Sequence, residues 1–477
     1  MSSTRRKWLL LLFSFLAAGS VYFAFQLKFS FDFEQFFPVG DPDLEFFLEF
    51  REKFETDDNF LMVALPGDPT VFNQDYLERL HQLKIDSRRL PSVTESVTIT
   101  SLQLPVKLPL MGYTTVPAVH RKEPSKYARD SMRLVNDPRF QGNLISKDGK
   151  TAVLFIKTVD NLQQDAAEAL MPALRTALTS NGFTDYHVLG RAFFQEQLVA
   201  MQKREMIVST IVSGLLVTLI MFLIFRRFWG IVISLVSIGL GMLLFIGFLG
   251  LTGRELNAMS ALYPVLMIIV GTSDVIHIMS KYIDELRKGQ EKQEAIRITI
   301  REIGLATFLT SVTTAIGFAT LQASRIPPIR EFGLNAGIGV IIAYLTVLGF
   351  TTALLSWFSA DKIIKLGRTQ TFWDYYLGKM NQFTKNRPRQ ILLGGILLVV
   401  ISGIGISKIS TNYKIENNLP IGEKITEDFK YFEKYFSGFR PFGLAAHLEV
   451  GRPFVRCGVK VPDHGHGHDV ILVLKFD

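Results

Sequence analysis

The stretch YPVLMIIVGTSDVIHIMSKYIDEL, residues 263–286, is apolar over most of its length and carries an acid, Asp274, inside the apolar part. A bilayer core of about 30 Å needs roughly 20 helical residues, so this stretch is long enough to cross a membrane. Other long apolar stretches occur along the chain. The predicted spans lie near residues 8–25, 206–225, 228–251, 257–280, 303–323, 332–358 and 391–407. The sequence therefore predicts an α-helical membrane bundle of seven spans.

The composition of the chain supports a membrane protein. Apolar residues make up 48% of the 477 residues, charged residues only 20%, and the mean hydropathy is +0.24. This composition excludes collagen, coiled-coil and disordered proteins. The single cysteine, Cys457, excludes a disulfide framework and a cysteine-based metal or redox site. No cofactor and no metal site are expected.

The basic residues are distributed by topology. The formal net charge is +8, but eighteen Lys and Arg flank alternate span ends, whereas the other short loops contain only Arg254, Arg325 and Arg330. The positive-inside rule then predicts a cytoplasmic N-terminus and an external segment at residues 27–205. Because the cations follow this rule, nucleic acid is not an expected partner.

An internal repeat links the beginning and the end of the chain. Residues 38–54 and 420–436 align at an offset of 382 residues, with Pro38 and Gly40 matching Pro420 and Gly422. The first span, which could also be a signal peptide, is therefore expected to be retained, as in transporters built from parallel halves. Most of a second half is missing after this repeat begins. Residues 449–477 are expected to be a truncated or frame-disrupted tail, and His464, His466 and His468 an accidental histidine-rich run.

The external segment alternates strand-like and helix-like stretches. Strands are predicted at 59–65, 93–100, 151–159 and 186–190, with helices at 72–89 and 162–178. This order is that of an α+β ferredoxin-like module, here called a porter-type domain, with residues 102–140 inserted. No phosphate loop, HExxH motif or nucleophile pair is present, and surface histidines are expected at 81, 120 and 187. The chain is not expected to be an enzyme.

These patterns divide the chain into seven predicted segments. They are the first transmembrane helix (1–26), the external porter-type domain (27–205), a five-helix transmembrane bundle (206–360), a cytoplasmic amphipathic linker (361–390), the seventh transmembrane helix (391–407), the start of a second external repeat (408–448) and the atypical tail (449–477).

The fourth span contains two ionisable residues, Asp274 and His277. A charge at the bilayer centre costs at least about 2.5–3.5 kcal/mol, so such residues usually serve a function. Three residues apart on a helix, they would lie on one face and could share a proton. Two structural alternatives remain: His277 reaches the membrane interface, or Asp274 only forms a structural hydrogen bond.

The neighbouring spans carry hydroxyl and glycine patterns. Thr307, Thr310, Ser311 and Thr314 form a hydroxyl stripe along the fifth span, which could relay protons to Asp274 or serve helix–helix hydrogen bonding alone. Helix packing is predicted at three glycines, Gly271, Gly333 and Gly337, of which the last two form a GxxxG pair.

Two motifs carry a resemblance to a known superfamily. They are GTSDVIHIMSKY from Gly271 and TSVTTAIGFATLQASRIPPIREFGLNAGIGVIIAY from Thr310, and the segments that follow the first and seventh spans agree with them. Over residues 5–448 the chain resembles the resistance-nodulation-division (RND) superfamily, most closely its MMPL-type exporters, which are related to the sterol-sensing-domain proteins. Where many relatives have Asp-Tyr, this chain has Asp274-Val275, and a second bundle is missing.

The resemblance implies a function. It implies a bacterial inner (plasma) membrane protein that exports a lipid or hydrophobic small molecule, with Asp274 and the neighbouring His277 in proton coupling. The expected partners are the substrate, the membrane, protons, and either further copies of the chain or the missing second half. An alternative is a lipid- or sterol-sensing or scaffolding membrane protein that does not transport, and it would not respond to uncouplers.

Overall fold

The computed structural model describes residues 3–30, 37–53, 59–108, 112–225, 227–359, 371–409 and 422–436. The tail at 449–477 and its histidines 464, 466 and 468 lie outside these residues. The helices in the described ranges are α1 (Ser3–Ala24), α2 (Pro42–Lys53), α3 (Gln74–Ser87), α4 (Tyr127–Val135), α5 (Gln164–Ser180), α6 (Arg191–Phe225), α7 (Phe228–Leu251), α8 (Tyr263–Arg287), α9 (Lys292–Ala319), α10 (Pro327–Thr346), α11 (Thr352–Trp357), α12 (Thr371–Asn386), α13 (Pro388–Ser407) and α14 (Lys424–Tyr435). The strands are β1 (Phe60–Pro66), β2 (Val93–Val97), β3 (Gln103–Leu108), β4 (Gly112–Pro117), β5 (Thr151–Thr158) and β6 (His187–Gly190).

Seven helical segments in the described part of the chain are long and apolar enough to cross a membrane. They are Arg6–Ala24, Arg191–Phe225, Phe228–Leu251, Met259–Arg287, Lys292–Ala323, Pro327–Trp357 and Pro388–Ser407. The predicted number of spans is confirmed. The second span is the later part of a 35-residue helix, α6, because the residues before it contain neither proline nor glycine to end the helix.

The chain forms two units, each compact by itself. One unit comprises residues 1–50 and 195–419, and the other comprises residues 51–194 and 420–477. The spans therefore belong to the first unit. Residues 27–50 and 195–205, which the sequence analysis assigns to the external domain, cluster with the spans.

The core of the first unit lies between α7, α8, α10 and the segment that follows α10. Its buried side chains include Ile238, Val275, Met279, Tyr282 and Val347. Hydrophobic residues are present on all sides of these helices, because both the lipid and the core of the unit are apolar. The backbone hydrogen bonds of each span are made within its own helix.

Glycines bring several of these helices close together. A Cβ atom at Gly333 would lie 2.6 Å from the Phe318 carbonyl oxygen of α9, and one at Gly337 would lie 3.1 Å from that of Ala315. At Gly271 the nearest neighbour is the Ile238 side chain of α7, at 3.4 Å. The three glycines predicted for packing therefore face neighbouring helices in the structure.

The sixth span is not a uniform α-helix. Between α10 and α11, residues Val347–Thr351 form one π-helical segment, and the helix continues on both sides of it. This segment contacts both α7 and α8. Short π segments inside α-helices are rare and frequently occur at functional sites.

The second unit contains a four-stranded antiparallel sheet with the strand order β2-β5-β1-β6. In its central strands Val63 pairs with Leu154 on one side and with Val188 on the other. Helices α3 and α5 contribute buried leucines, including Leu77, Leu80 and Leu174. The hairpin β3–β4 and helix α4 lie within the predicted insertion. The predicted strands are all present.

The internal repeat has the same conformation in both copies. Gly40 and Gly422 have φ angles of +77° and +82°. Helices α2 and α14 both have 12 residues and begin 382 residues apart (424 − 42). In the second unit, α14 packs against the sheet, where Phe432 and Phe436 are buried together with Ala64, Val153 and Leu189.

Candidate functional site

Asp274 is buried in the middle of the α-helical bundle. Helix α8 begins with Pro264 in its first turn and continues without interruption to Arg287. The Asp274 side chain is only 5% exposed. Tyr344 of α10 lies within electrostatic range of the Asp274 carboxyl group, and its hydroxyl donates a hydrogen bond to the Gly304 carbonyl of α9 at 3.1 Å. The carboxyl therefore faces the packed interior of the first unit.

One oxygen of this carboxyl has no hydrogen-bond partner in the part of the chain that the structure describes. Oδ2 of Asp274 is buried, and no described residue forms a hydrogen bond with it. An unpaired buried carboxylate is costly, whereas a protonated carboxyl buried in the same place costs much less. The surroundings of Oδ2 therefore favour the protonated form of this carboxyl over the ionised form.

His277 does not face the same surroundings as Asp274. Its side chain is exposed, and within the described residues neither a hydrogen bond nor an ion pair joins it to Asp274. Side chains three residues apart on an α-helix point about 60° away from each other around the helix axis. This difference is enough to place His277 outside the core. The two side chains are near each other along the helix, but the structure does not pair them.

The predicted hydroxyl stripe on α9 is divided between core and surface. Thr307 and Ser311 are buried, Thr314 is half-buried and Thr310 is exposed. The hydroxyls of Thr307, Thr310 and Thr314 donate to carbonyls of their own helix, at 2.9, 2.7 and 2.7 Å. Three of the four hydroxyls are therefore bonded within α9.

Other buried hydroxyls in the same core were missed by the sequence analysis. Among the described residues, Thr272, Tyr282, Thr351 and Ser356 have buried side-chain oxygens without a hydrogen-bond partner. Thr351 and Ser356 stand in the run TVLGFTTALLS, residues 346–356, where several hydroxyls occur within an otherwise apolar span. That run was a usable signal, but it does not reveal which hydroxyls lack a partner.

The histidines of the second unit were predicted to be surface residues, and this is wrong for His120 and His187. Nδ1 of His120 lies 3.0 Å from Oδ2 of the fully buried Asp130, and Nδ1 of His187 lies 2.7 Å from Oδ1 of Asp428. Both imidazoles are about one-fifth exposed. The carboxylate partners lie 10 residues from His120 and 241 residues from His187 in the chain. The sequence around each histidine therefore did not reveal its partner.

His81 is also half-buried, on α3. Burial lowers the pKa of His81 below its usual value, and the nearby positive charges of Arg121 and Lys84 lower it further. Within the described residues no cluster of three or more metal-ligating side chains occurs.

Seven apolar helical segments in the described part of the chain, one of them with a buried carboxyl group, are typical of a polytopic membrane protein. The chain belongs to the MMPL family, whose family model matches residues 49–389.

Several curated proteins are similar to this chain. "Probable transport protein MmpL4" of Mycobacterium leprae is 22% identical over 67% of the chain and 34% of its own length. "Probable transport protein MmpL8" of Mycobacterium bovis is 22% identical over 46% of the chain and 21% of its own length. "Putative membrane protein MJ1562" of Methanocaldococcus jannaschii is 28% identical over 30% of the chain and 36% of its own length. The chain thus matches between 21% and 36% of the length of these relatives.

Proposed function

We propose that this chain is part of an exporter that moves a hydrophobic or lipidic substrate and uses the proton gradient to do so. The observation that carries the proposal is the carboxyl group of Asp274, which is buried inside a span and has one oxygen without a partner among the described residues. Intramembrane ionisable groups of this kind are costly and usually functional.

The energetics of such a coupling are sufficient. One proton that moves down a potential of 100 mV releases about 2.3 kcal/mol. If Asp274 is protonated in one arrangement of the helices and ionised in another, this energy shifts the equilibrium between the two arrangements. Tyr344 and the π-helical segment of the sixth span lie beside this core and are candidates for the parts that rearrange.

The substrate class rests on the relatives. "Sulfolipid-1 exporter MmpL8" of Mycobacterium tuberculosis is 22% identical to this chain over 232 residues. At this identity, and with 21% of that protein covered, the likeness supports a lipidic or hydrophobic substrate as a class and does not identify one.

The remaining parts of the proposal concern the placement of the molecule. We propose that the second unit lies outside the cell membrane and is a ferredoxin-like porter module, which is supported by its β-α-β-β-α-β succession and antiparallel sheet. The N-terminus is proposed to be cytoplasmic, on the positive-inside rule. A further bundle, from a second half or a second copy, would pack on the face of α8 and α9 where His277 and Thr310 are exposed.

The test is the substitution Asp274→Asn, which keeps the shape of the side chain but removes its exchangeable acid. We expect substrate export by cells to fall to background while the protein level and membrane insertion stay normal. The matched control is Asp284→Asn, because the Asp284 side chain is 57% exposed near the end of the same helix.

Uncouplers separate the two candidate functions. Export that depends on Asp274 should stop when the proton gradient is collapsed. Export that persists in Asp274→Asn would refute the coupling role. A protein that binds lipid and signals it, with no sensitivity to uncouplers, would be a sensor.

A further inference from the structure

Three buried hydroxyl groups lie in the core of the first unit, on α8 and on the sixth span. They belong to Tyr282, Thr351 and Ser356, whose side chains are 0%, 0% and 2% exposed. None of these hydroxyl oxygens has a hydrogen-bond partner in the described part of the chain. Buried hydroxyls without partners are uncommon, so each one calls for an explanation.

Neighbouring hydroxyls in the same core behave differently. Ser234 donates to the Gly230 carbonyl at 2.8 Å, Thr346 to that of Ile342 at 2.7 Å and Thr352 to that of Leu348 at 2.6 Å. Each of these hydroxyls is bonded within its own helix, which is the usual arrangement for Ser and Thr in spans. Thr351 stands directly beside Thr352 but lacks such a bond.

Thr351 is the last residue of the π-helical segment Val347–Thr351. In an α-helix, a threonine hydroxyl usually donates to the carbonyl four residues earlier. The Thr351 hydroxyl makes no such bond among the described residues, so it is left available in the core.

The three hydroxyls belong to two spans that touch each other. Tyr282 lies eight residues beyond Asp274 on α8, about 12 Å at 1.5 Å per residue. Helix α8 contacts the π-helical segment that ends at Thr351. Ser356 lies five residues beyond Thr351, roughly one and a half turns further.

The last of the three hydroxyls lies beside cationic side chains. Arg6 donates to the Ser356 carbonyl at 3.1 Å and stacks on Trp357. Lys292 donates to the Phe358 carbonyl at 2.6 Å. This end of the bundle therefore carries two cationic side chains close to Ser356.

We propose that Tyr282, Thr351 and Ser356 line the path by which a proton moves between Asp274 and the basic end of the bundle. Each hydroxyl can accept one hydrogen bond and donate another, and water fills the steps between them, so a proton that leaves Asp274 Oδ2 emerges at the Arg6 end without any redox change. The proposed path follows α8 and the later part of the sixth span. This inference rests on the proposed proton coupling.

The test measures how fast the Asp274 carboxyl exchanges its proton with solvent. In the reconstituted full chain, the infrared band of the protonated carboxyl is assigned by its loss in Asp274→Asn, and its shift is followed after transfer to D2O. We expect Thr351→Val and Tyr282→Phe to slow this exchange by about fivefold to tenfold each, the scale of one lost hydrogen bond. In Thr351→Ser, which keeps the hydroxyl, the Asp274 carboxyl should exchange its proton at nearly the original rate.

Thr352→Val is the matched control, because it removes a neighbouring hydroxyl that is bonded to its own helix. Equal exchange rates in Thr351→Val, Tyr282→Phe and the unaltered protein would overturn the path while leaving the role of Asp274 intact. Equal slowing by Thr351→Val and Thr352→Val would also overturn it. If no band depends on Asp274 at any pH, both the coupling role and the path fail.

Discussion

Buried carboxyl groups occur in both units of this protein, but their surroundings differ. Asp130 accepts a hydrogen bond from the His120 backbone at 2.7 Å, and Glu285 pairs with Lys281 and Lys288 at 3.0 and 2.7 Å. Oδ2 of Asp274 has no comparable partner among the described residues. The paired carboxylates are suited to a permanent charge, and Asp274 to a charge that comes and goes.

Asp428 is a structural counterpart outside the spans. Asp428 is 1% exposed. Its carboxylate accepts hydrogen bonds from Nδ1 of His187 at 2.7 Å and from the Val188 backbone N–H at 3.0 Å. These bonds connect α14 to the edge strand β6. The Asp428→Ala change leaves both donors unsatisfied, and we expect the attachment of α14 to weaken by about 1–3 kcal/mol.

Amide hydrogen exchange of residues 424–435 measures this effect, and exchange should become faster. Glu433→Ala is the control, since Glu433 is exposed on the same helix. Unchanged exchange in Asp428→Ala would show that the apolar contacts of Phe432 and Phe436 hold the helix alone.

At the scale of single elements, hydropathy predicted where the spans lie. It did not predict which positions of one span touch another span. Gly239 and Gly250 both stand in the third span, α7. A Cβ atom at Gly250 would overlap the Phe23 carbonyl oxygen of α1, while one at Gly239 would meet nothing within 4 Å. The sequence alone treats the two glycines alike.

This contrast gives a prediction for the packing of the first span. Gly250→Ala should destabilise the protein by about 1–3 kcal/mol, because the added methyl group forces α1 away from α7. Gly239→Ala should be neutral or slightly stabilising, because alanine favours a helix more than glycine does. Thermal unfolding of the detergent-solubilised protein compares them. Equal midpoints would contradict the close contact.

At the scale of the whole molecule, the repeat relates the two ends of the chain. Its two copies share a left-handed glycine followed by a 12-residue helix. The expectation drawn from the alignment, that the first span is retained and begins one of two parallel halves, stays a prediction. The alignment carried no information on which sheet the second helix would pack against.

The membrane orientation is a prediction at this same scale. In a Cys457→Ser background, we expect Lys122→Cys to react with a membrane-impermeant maleimide in intact spheroplasts. Lys288→Cys should react only after permeabilisation. Both side chains are exposed, so access depends on the side of the membrane. Labelling in the opposite order would reverse the orientation that the positive-inside rule assigns.

The amino-acid sequence by itself determined the number of spans, the strands of the second unit, the repeat and the presence of Asp274 inside the apolar part of the fourth span. These are local properties, because hydropathy and periodicity add up over neighbouring residues. Only the tertiary structure decided that Asp274 faces the core while His277 does not, that Thr307, Thr310 and Thr314 bond within their own helix, and that Thr351 has no hydrogen-bond partner among the described residues. Those outcomes depend on which distant helix covers each face, and no local pattern encodes that.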